Sequence, residues 1–312
     1  MKRYGNLFDK ICNINNLYKA ELRARRGKSK NKEIVEFIKN LDSNILSIYN
    51  ELTNKTYTTS EYIHFIIYEP KERKISKLPY RDRIVHHATM LHLESIFLSS
   101  FISQTYSCIK KRGIHRCLRD LNKGLRDTEN TKYCLKLDIK KFYPSINGDI
   151  LKETIRSKIK DKDVLWLLDD IISSTIGCPL GNLTSQWFGN LYLNGFDHWI
   201  KEQKKVKYYK YCDDVVILHS SKEFLHELLR EIKEYLWSNL KLELSNHQIF
   251  PVKSRGIDFV GYRSFHTHIL IRGRIKKKFI KMIKYNKNEC SINSYLSWLN
   301  HSNSINLKRK YL

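Results

Sequence analysis

Apolar residues recur at helical spacing through much of this chain and cluster in strand-like runs elsewhere. Between residues 6 and 50, two apolar stripes with a period near 3.6 residues predict helices on either side of the basic run 23–30. Further helices are predicted at 81–99, 113–125, 148–159, 162–174, 184–199 and 222–238, and the chain closes in a basic helical tail. β-Branched and aromatic runs predict strands at 62–68, 75–78, 133–137, 206–211, 215–219, 248–252, 257–263 and 268–272.

The net charge of the chain predicts the kind of partner that it binds. The 312 residues include 57 lysines and arginines against 32 acidic residues, a formal charge of +25. A protein this basic is expected to bind a polyanion, with nucleic acid as the first candidate and an anionic membrane surface as the second. No run of 18 apolar residues and no apolar signal segment is present, so we expect no membrane span and no export.

Cysteine usage points to a reducing compartment. The seven cysteines are scattered and contain no Cys-x-x-Cys pair, which argues against a zinc site. An odd number of cysteines without a signal segment is typical of reduced thiols in a cytosol. We therefore expect a cytoplasmic protein.

Three acidic residues stand where the pattern predicts strand ends. Asp138 follows the apolar strand 133–137, and the pair Asp213-Asp214 sits between the strands 206–211 and 215–219, at a predicted hairpin turn. Adjacent carboxylates repel, and a carboxylate at the end of an apolar strand is costly unless it is paired. A hard divalent cation, which takes oxygen ligands, would resolve both costs. The alternative for the pair alone is an exposed acidic turn.

Two other stretches could meet phosphate groups. The predicted turn 69–74 between the first two strands carries Lys71 and Arg73, which could hold a triphosphate. The loop 177–186 contains Gly181 and leads into a helix, and a helix N-terminus favours anions. A solvent-exposed turn and a plain capped loop are the alternatives for these two stretches.

Taken together and in this order, these stretches resemble the palm of a reverse transcriptase. Residues 138–146 are similar to the first palm motif, 181–193 to the second, and Tyr211-Cys212-Asp213-Asp214 to the Tyr-x-Asp-Asp motif. Agreement continues on both sides, in stretches similar to the fingers (70–73 and 81–88), the primer grip (256–262) and the thumb (294–301). The similarity covers roughly residues 60 to 305.

The resemblance implies an α+β fold, a right-hand polymerase with an antiparallel palm sheet backed by helices. It divides the chain into a basic helical segment (1–60), fingers (61–130), palm (131–265, with a fingers insertion near 148–176) and thumb (266–312). It also implies RNA-templated DNA synthesis, in which two Mg²⁺ ions, or Mn²⁺ in their place, stabilise the attacking and leaving oxygens. Asp138, Asp213 and Asp214 would be catalytic and, with the Ile139 carbonyl, would bind the metal ions.

The resemblance assigns further roles by position. The nucleotide-binding residues would be Lys71, Arg73, Tyr143, Leu180, Gly181 and Gln186. Tyr143 stands where related enzymes use an aromatic ring to exclude a 2′-hydroxyl, which favours dNTPs over NTPs. Leu180 replaces a glutamine that contacts the incoming nucleotide, so lower fidelity is a hypothesis. Primer or template contacts would come from Tyr211, Gly261 and Tyr262.

The sequence of residues 180–186 is most similar to the corresponding stretch in the reverse transcriptases of bacterial and phage diversity-generating retroelements. That subtype implies error-prone copying of a dedicated RNA, with the RNA–cDNA duplex as product and a small basic accessory oligomer as a candidate partner. A phage-defence or retron-like reverse transcriptase is the alternative. Two further hypotheses are an RNA-templated RNA polymerase and a catalytically idle RNA-binding scaffold. Tyr143 disfavours the first, and the presence of all three acids, Asp138, Asp213 and Asp214, disfavours the second.

Overall fold

The computed structural model describes residues 3–68, 72–285 and 288–311. The chain forms two compact units, each assembled from three separate stretches. Unit 1 contains Met1–Ile102, Lys141–Phe196 and Ser238–Leu242. Unit 2 contains Ser103–Lys140, Asp197–Trp237 and Glu243–Leu312. The finer division into fingers, palm and thumb stays a prediction.

Helices account for most of the described residues. In chain order they are α1 (Phe8–Ile11), α2 (Ile14–Arg25), α3 (Lys32–Lys39), α4 (Leu41–Thr53), α5 (Tyr80–Leu98), α6 (Ile114–Leu125), α7 (Phe142–Ser145), α8 (Gly148–Arg156), α9 (Lys162–Ser173), α10 (Leu183–Tyr192), α11 (Asn194–His198), a π-helical turn (Trp199–Gln203), α12 (Lys222–Leu240), α13 (Val252–Arg255), α14 (Gly273–Tyr285), α15 (Glu289–Asn300) and α16 (Ile305–Tyr311).

The strands form three antiparallel sheets. They are β1 (Ile63–Ile67), β2 (Arg73–Lys77), β3 (Tyr133–Ile139), β4 (Lys207–Tyr211), β5 (Asp214–His219), β6 (Leu244–Pro251), β7 (Ile257–Phe259), β8 (Tyr262–Ser264) and β9 (Ile269–Ile271). β1 and β2 pair alone, and β7, β8 and β9 form a small meander. The largest sheet has the order β4-β5-β3-β6, so the strand carrying Asp138 lies between the acidic hairpin and β6.

In unit 1, helix α5 packs against α2 and α10 and is buried along most of its length. Two of its buried polar residues form hydrogen bonds inside this packing. Asp82, which is fully buried, accepts a hydrogen bond from Tyr57 Oη at 2.7 Å, and His86 Nδ1 lies 3.1 Å from Thr184 Oγ1. Buried polar groups of this kind are tolerated because they are hydrogen-bonded.

In unit 2, one face of the four-stranded sheet packs on α6 and on β7. Cys134, Val216 and Phe250 come from the sheet, while Leu121 comes from α6 and Phe259 from β7. Complete burial of a valine, leucine or phenylalanine side chain contributes about 1.5–3 kcal/mol to the free energy of folding. A second core in this unit joins α14 and α15 through Phe279, Met282 and Leu299.

The structure corrects two of the predicted strands. The predicted strand 257–263 is two strands, β7 and β8, because Val260 (φ +43°) and Gly261 (φ +90°) turn the chain between them. The strand predicted at 248–252 begins at Leu244 and ends at Pro251, where α13 starts. The run of strand-forming residues at 257–263 did not reveal this turn, because two residues with positive φ are enough to reverse the chain.

The mixed architecture, with an antiparallel sheet backed by helices, confirms the predicted α+β class. Within the residues the structure describes, none of the helices combines the length and the apolarity needed to cross a lipid bilayer.

Candidate active site

Asp138 lies near the end of β3, at the point where the pairing of that strand changes. It stands opposite Asp214 of β5 on one side and Asn246 of β6 on the other, and the register with β6 shifts between Asp138 and Ile139. Its carboxylate is exposed and accepts a hydrogen bond from Ser245 Oγ at 2.5 Å. The Ile139 side chain is buried, so the strand is fixed on its other face.

The acidic pair lies on a tight hairpin. β4 and β5 pair through Tyr211 and Asp214, which leaves Cys212 and Asp213 as a two-residue loop. Cys212 has a φ of +56°, a conformation that costs free energy for a residue with a side chain and is required at the first position of several two-residue hairpin turns. This turn places Asp213 at the tip and Asp214 directly across from Asp138. Directly opposite residues hold their Cβ atoms roughly 5 Å apart.

Asp214 sits in an environment that disfavours its charge. Burial, opposed by the Lys136 ammonium and assisted by the neighbouring charges of Asp138 and Asp213, raises the pKa of its carboxyl to about 6. The buried Oδ1 atom faces the Lys136 ammonium across 3.5 Å, and no well-formed hydrogen bond to that atom exists within the described residues. Two carboxylates opposite each other, with a third adjacent and one buried oxygen left without a hydrogen bond, fit a hard divalent cation.

As the side chains stand, no group of three or more histidine, cysteine or acidic residues within 3–68, 72–285 and 288–311 is arranged as a finished metal-binding cluster. The strand register places the backbones of Asp138 and Asp214 opposite each other, but the three carboxylates do not converge on a common position for a metal ion. This is expected of like charges, because each carboxylate repels the others.

A buried ion pair anchors the hairpin within unit 2. Lys210 Nζ lies 2.5 Å from Asp197 Oδ2, and both side chains are fully buried. Asp197 also accepts hydrogen bonds from Tyr208 Oη at 2.6 Å and from Thr105 Oγ1 at 3.3 Å. Lys210 immediately precedes the acidic motif, so this network fixes the strand that carries it.

Sequence reasoning missed Lys136, Ser245 and the Asp197–Lys210 pair. Period-two alternation places Lys136 on the same face as Asp138, which was an available signal. Asp197 and Lys210 each interrupt an apolar or aromatic run, but their pairing depends on tertiary structure.

In unit 1, the glycine loop is joined to strand β2. Ser76 N donates to Leu180 O at 2.9 Å, and Gly181 has a φ of +132°. A Cβ atom at Gly181 would come within 2.4 Å of Ser76 O, so only glycine fits this approach. β2 begins at Arg73, whose side chain is exposed, and Lys71 lies outside the described residues. The structure thus connects the strand of Arg73 to Leu180 and Gly181.

Tyr143 and Gln186 also lie in unit 1. Tyr143 is half-buried on the short helix α7, its carbonyl accepts a hydrogen bond from Cys178 N at 2.8 Å, and a Cβ atom at Gly189 of α10 would lie 3.1 Å from its ring. Gln186 is exposed in the first turns of α10.

Two of the residues predicted to contact primer or template are buried in unit 2, and the predicted contact itself stays a prediction. Tyr262 has no exposed surface; its hydroxyl donates to Trp298 O at 3.0 Å and the two rings stack. Gly261 is also buried, and a Cβ atom there would lie 2.4 Å from the Trp298 ring. Both residues therefore fix the β7–β8 turn onto α15. Tyr211, the third predicted contact, is half-buried.

Comparison with known proteins agrees with this geometry. The family model described as reverse transcriptase (RNA-dependent DNA polymerase) matches residues 69–264. Among curated proteins, the chain is 24% identical over 230 residues to protein YkfC of Escherichia coli K12, covering 59% of this chain and 60% of YkfC. It is 23% identical over 264 residues to the retron Ec73 reverse transcriptase of Escherichia coli, covering 75% of this chain and 82% of that enzyme.

Solved structures with a similar fold include telomerases. The apo telomerase of Candida tropicalis matches with a TM-score of 0.52 and 13% identity, over 70% of this chain and 52% of that one. The telomerase of Candida albicans, solved with a fragment of telomeric RNA, matches with a TM-score of 0.52 and 10% identity, over 76% of this chain and 52% of that one. The chain thus spans about half of these telomerases and 60% of YkfC.

Proposed function

Because this chain belongs to the reverse transcriptase family, we propose that it is an RNA-templated DNA polymerase. In this role it would join dNTPs to the 3′-hydroxyl of a primer and release pyrophosphate. The observation that carries the proposal is the antiparallel register that sets Asp138 opposite Asp214, beside the two-residue turn holding Asp213. Residues separated by more than 70 positions meet there at the edge of a buried core.

Asp138, Asp213 and Asp214, with the Ile139 carbonyl, would hold two Mg²⁺ ions, for which Mn²⁺ could substitute. The ions would stabilise the charge on the attacking and leaving oxygens. The chain itself supplies position: β3 and β5 fix the backbones of Asp138 and Asp214, and the Asp197–Lys210 pair fixes β4. Ser245, which donates to the Asp138 carboxylate, would hold that side chain in a single orientation.

The nucleotide would be held by residues of unit 1. Arg73, and Lys71 by resemblance, would neutralise the triphosphate. Tyr143 would exclude a 2′-hydroxyl, and its ring is held against Gly189, where a larger side chain would displace it. Leu180, Gly181 and Gln186 would line the nucleotide site. The link from Ser76 N to Leu180 O supports a shared role for the loop and β2.

Two biological settings have support. The stretch 180–186 favours error-prone copying of a dedicated RNA, as in diversity-generating retroelements. The similarity to the retron Ec73 enzyme favours a retron-like system, in which a phage-defence role would also fall. Either setting implies a template RNA, an RNA–cDNA duplex and a location in a bacterial cytosol, and the first adds an accessory protein oligomer. Sequencing the RNA that copurifies with the protein would separate the two settings.

Primer extension tests the activity. We expect incorporation of dTTP on a poly(rA) template primed with oligo(dT) in Mg²⁺ or Mn²⁺, with far less incorporation of UTP. Asp213→Ala should abolish extension, a loss on the order of 10³-fold or more, because it removes a proposed metal ligand. Glu129→Ala, which changes an exposed acid in a loop of the same unit, is the matched control and should extend normally.

The idle-scaffold alternative makes the opposite prediction. A protein that binds RNA in a filter assay but incorporates no dNTP in either metal would overturn the polymerase proposal. Preferential use of UTP would instead assign an RNA polymerase.

Low fidelity is a separate part of the proposal. Leu180 is half-buried and apolar, so it cannot hydrogen-bond to the incoming nucleotide as a glutamine would. We expect Leu180→Gln to lower misincorporation, measured by sequencing cDNA copied from a defined template. An unchanged error rate would remove Leu180 as the cause of low fidelity.

A further inference from the structure

Two cysteines of unit 2 meet at the acidic turn. Cys212 is the first residue of the two-residue loop between β4 and β5. Cys108 lies in a segment that runs alongside β4, where Thr105 forms a parallel bridge with Lys210 and Lys210 N donates to Gln104 O at 3.4 Å. Cys212 lies two residues after Lys210 on β4, and Cys108 lies three residues after Thr105 on the neighbouring segment. The backbone pairing therefore accounts for the meeting of two residues more than 100 positions apart.

The two thiols are in direct contact. A side-chain hydrogen bond joins Cys108 to Cys212. Cys108 is exposed and Cys212 is half-buried, so an oxidant in solution can reach the pair. Both residues have positive φ values, +60° at Cys108 and +56° at Cys212, so both side chains are presented from tight backbone turns. None of the seven cysteines, all of which the structure describes, is in a disulfide.

The role of a buried, space-filling side chain does not account for this cysteine pair. A buried cysteine that only fills space is surrounded by apolar side chains, as Cys134 is in the core of this unit. Cys108 instead stands at the surface, and its sulfur is directed at a second sulfur beside the proposed metal ligands. To form a disulfide, the two sulfurs would have to move from this contact to a bond length of about 2.05 Å.

We propose that Cys108 and Cys212 form an oxidation site, at which a hydroperoxide converts the two thiols to a disulfide and lowers polymerisation. In the first step a thiolate sulfur attacks the peroxide, the O–O bond breaks, and the sulfur becomes a sulfenic acid with release of one water. The second thiol then attacks that sulfur, the S–S bond forms, and the sulfenic oxygen leaves as a second water. Two thiols and one hydrogen peroxide thus give one disulfide and two waters.

The reaction should be slow at neutral pH. The hydrogen bond with Cys212 is the main cause that raises the pKa of the Cys108 thiol, and desolvation adds to it. Since the thiolate is the attacking form, the pair would respond to sustained oxidation and not to trace peroxide. A dithiol such as dithiothreitol would reverse the change by exchange.

The consequence for polymerisation rests on the proposed function. A disulfide would tie the tip of the acidic hairpin to the segment 103–108. Asp213 is next to Cys212, so a covalent constraint there limits the small movements by which its carboxylate could reach a metal ion. Displacements of about 1 Å at a catalytic group cost rate heavily, and we expect roughly a tenfold loss of extension.

Peptide mapping tests the site independently of activity. The full chain is reduced, freed of reductant, treated with hydrogen peroxide at pH 8, alkylated and digested without reduction. We expect a cross-linked peptide containing Cys108 and Cys212, two hydrogens lighter than the sum of its parts and lost after dithiothreitol. Absence of this peptide under conditions that oxidise the exposed Cys290 would overturn the proposal, whether or not the protein is a polymerase.

Primer extension then tests the effect. Oxidised protein should lose activity roughly tenfold and recover in dithiothreitol. Cys108→Ser should extend at the basal rate and resist peroxide, whereas Cys290→Ser, the matched surface control, should remain sensitive. A mapped disulfide with unchanged extension would overturn the inhibitory role, and an equal loss in Cys108→Ser would assign the loss to another residue.

Discussion

The two hairpins that carry the predicted chemistry differ in how they are held. The hairpin of β1 and β2 pairs with no other strand in the described residues, and four of the five residues of β1 are exposed. The hairpin of β4 and β5 is half of the four-stranded sheet, and its central residues are buried on both strands. The first presents cations to solvent, while the second holds acids against a core.

This difference suits the ligands proposed for each hairpin. A metal site needs carboxylates fixed to within a fraction of an ångström, which a packed sheet provides. A triphosphate can be met by long, exposed arginine and lysine side chains, which need to adjust as the nucleotide enters. The β4–β5 hairpin therefore provides a rigid position for carboxylates, and the β1–β2 hairpin provides exposed cations that can adjust.

The largest effect should come from removing the buried cation behind the acidic hairpin. Lys210→Met leaves the fully buried Asp197 carboxylate without its partner, and breaking such a pair costs about 3–5 kcal/mol of unfolding free energy. The matched change in the exposed hairpin is Lys77→Met. Lys77 pairs with Glu33 at 2.6 Å where both side chains are about one-third exposed, so the cost there should stay below about 1 kcal/mol.

Urea denaturation of the two variants measures this contrast. Equal losses of stability would show that the two hairpins are held alike. A large loss only in Lys77→Met would reverse the comparison.

A smaller effect is expected when the exposed hairpin loses a cation. Arg73→Ala should raise the KM for dNTPs about tenfold, which corresponds to about 1.4 kcal/mol, and leave the unfolding free energy unchanged, because the Arg73 side chain is exposed. Steady-state extension at varied dTTP gives the KM. Lys39→Ala, at an exposed lysine of α3 in the same unit, is the control; an unchanged KM in Arg73→Ala would remove Arg73 from the nucleotide site.

The smallest predicted effect is a gain in stability at the acidic hairpin. Burial raises the pKa of Asp214 to about 6, above its value in the unfolded chain, so the folded state binds a proton more tightly. The stability this protonation gives is complete below about pH 4 and is lost as the pH rises through 6. In metal-free buffer at pH 8, Asp214→Asn should therefore be more stable than the natural chain by about 1 kcal/mol, after allowing for solvent screening of a partly exposed group.

The same variant should not extend a primer. Thermal denaturation at pH 4 and pH 8, with a chelator present, checks the stability change, which should vanish at the lower pH. A destabilised Asp214→Asn at pH 8 would show that its charge is well accommodated without a metal ion.

Several features were predictable from local pattern alone. The acids at strand ends, the glycine loop and the hairpin at 206–219 each follow from spacing and residue type within a short stretch. Runs of β-branched and aromatic residues identified β3, β4 and β5, and the match of the reverse transcriptase model to residues 69–264 agrees with the motif order. The error at 257–263 arose where two residues with positive φ reverse the chain inside an apolar run.

The sequence by itself determined which residue types stand at the ends of which strands, because side-chain periodicity and turn preference act over a few neighbouring residues. Only the tertiary structure decided that Asp138 faces Asp214, that Asp197 is neutralised by Lys210, that Tyr262 is buried and that Cys108 touches Cys212. Each of these depends on strand register and packing between distant parts of the chain. Such contacts are set by the burial of whole surfaces, which no local pattern specifies.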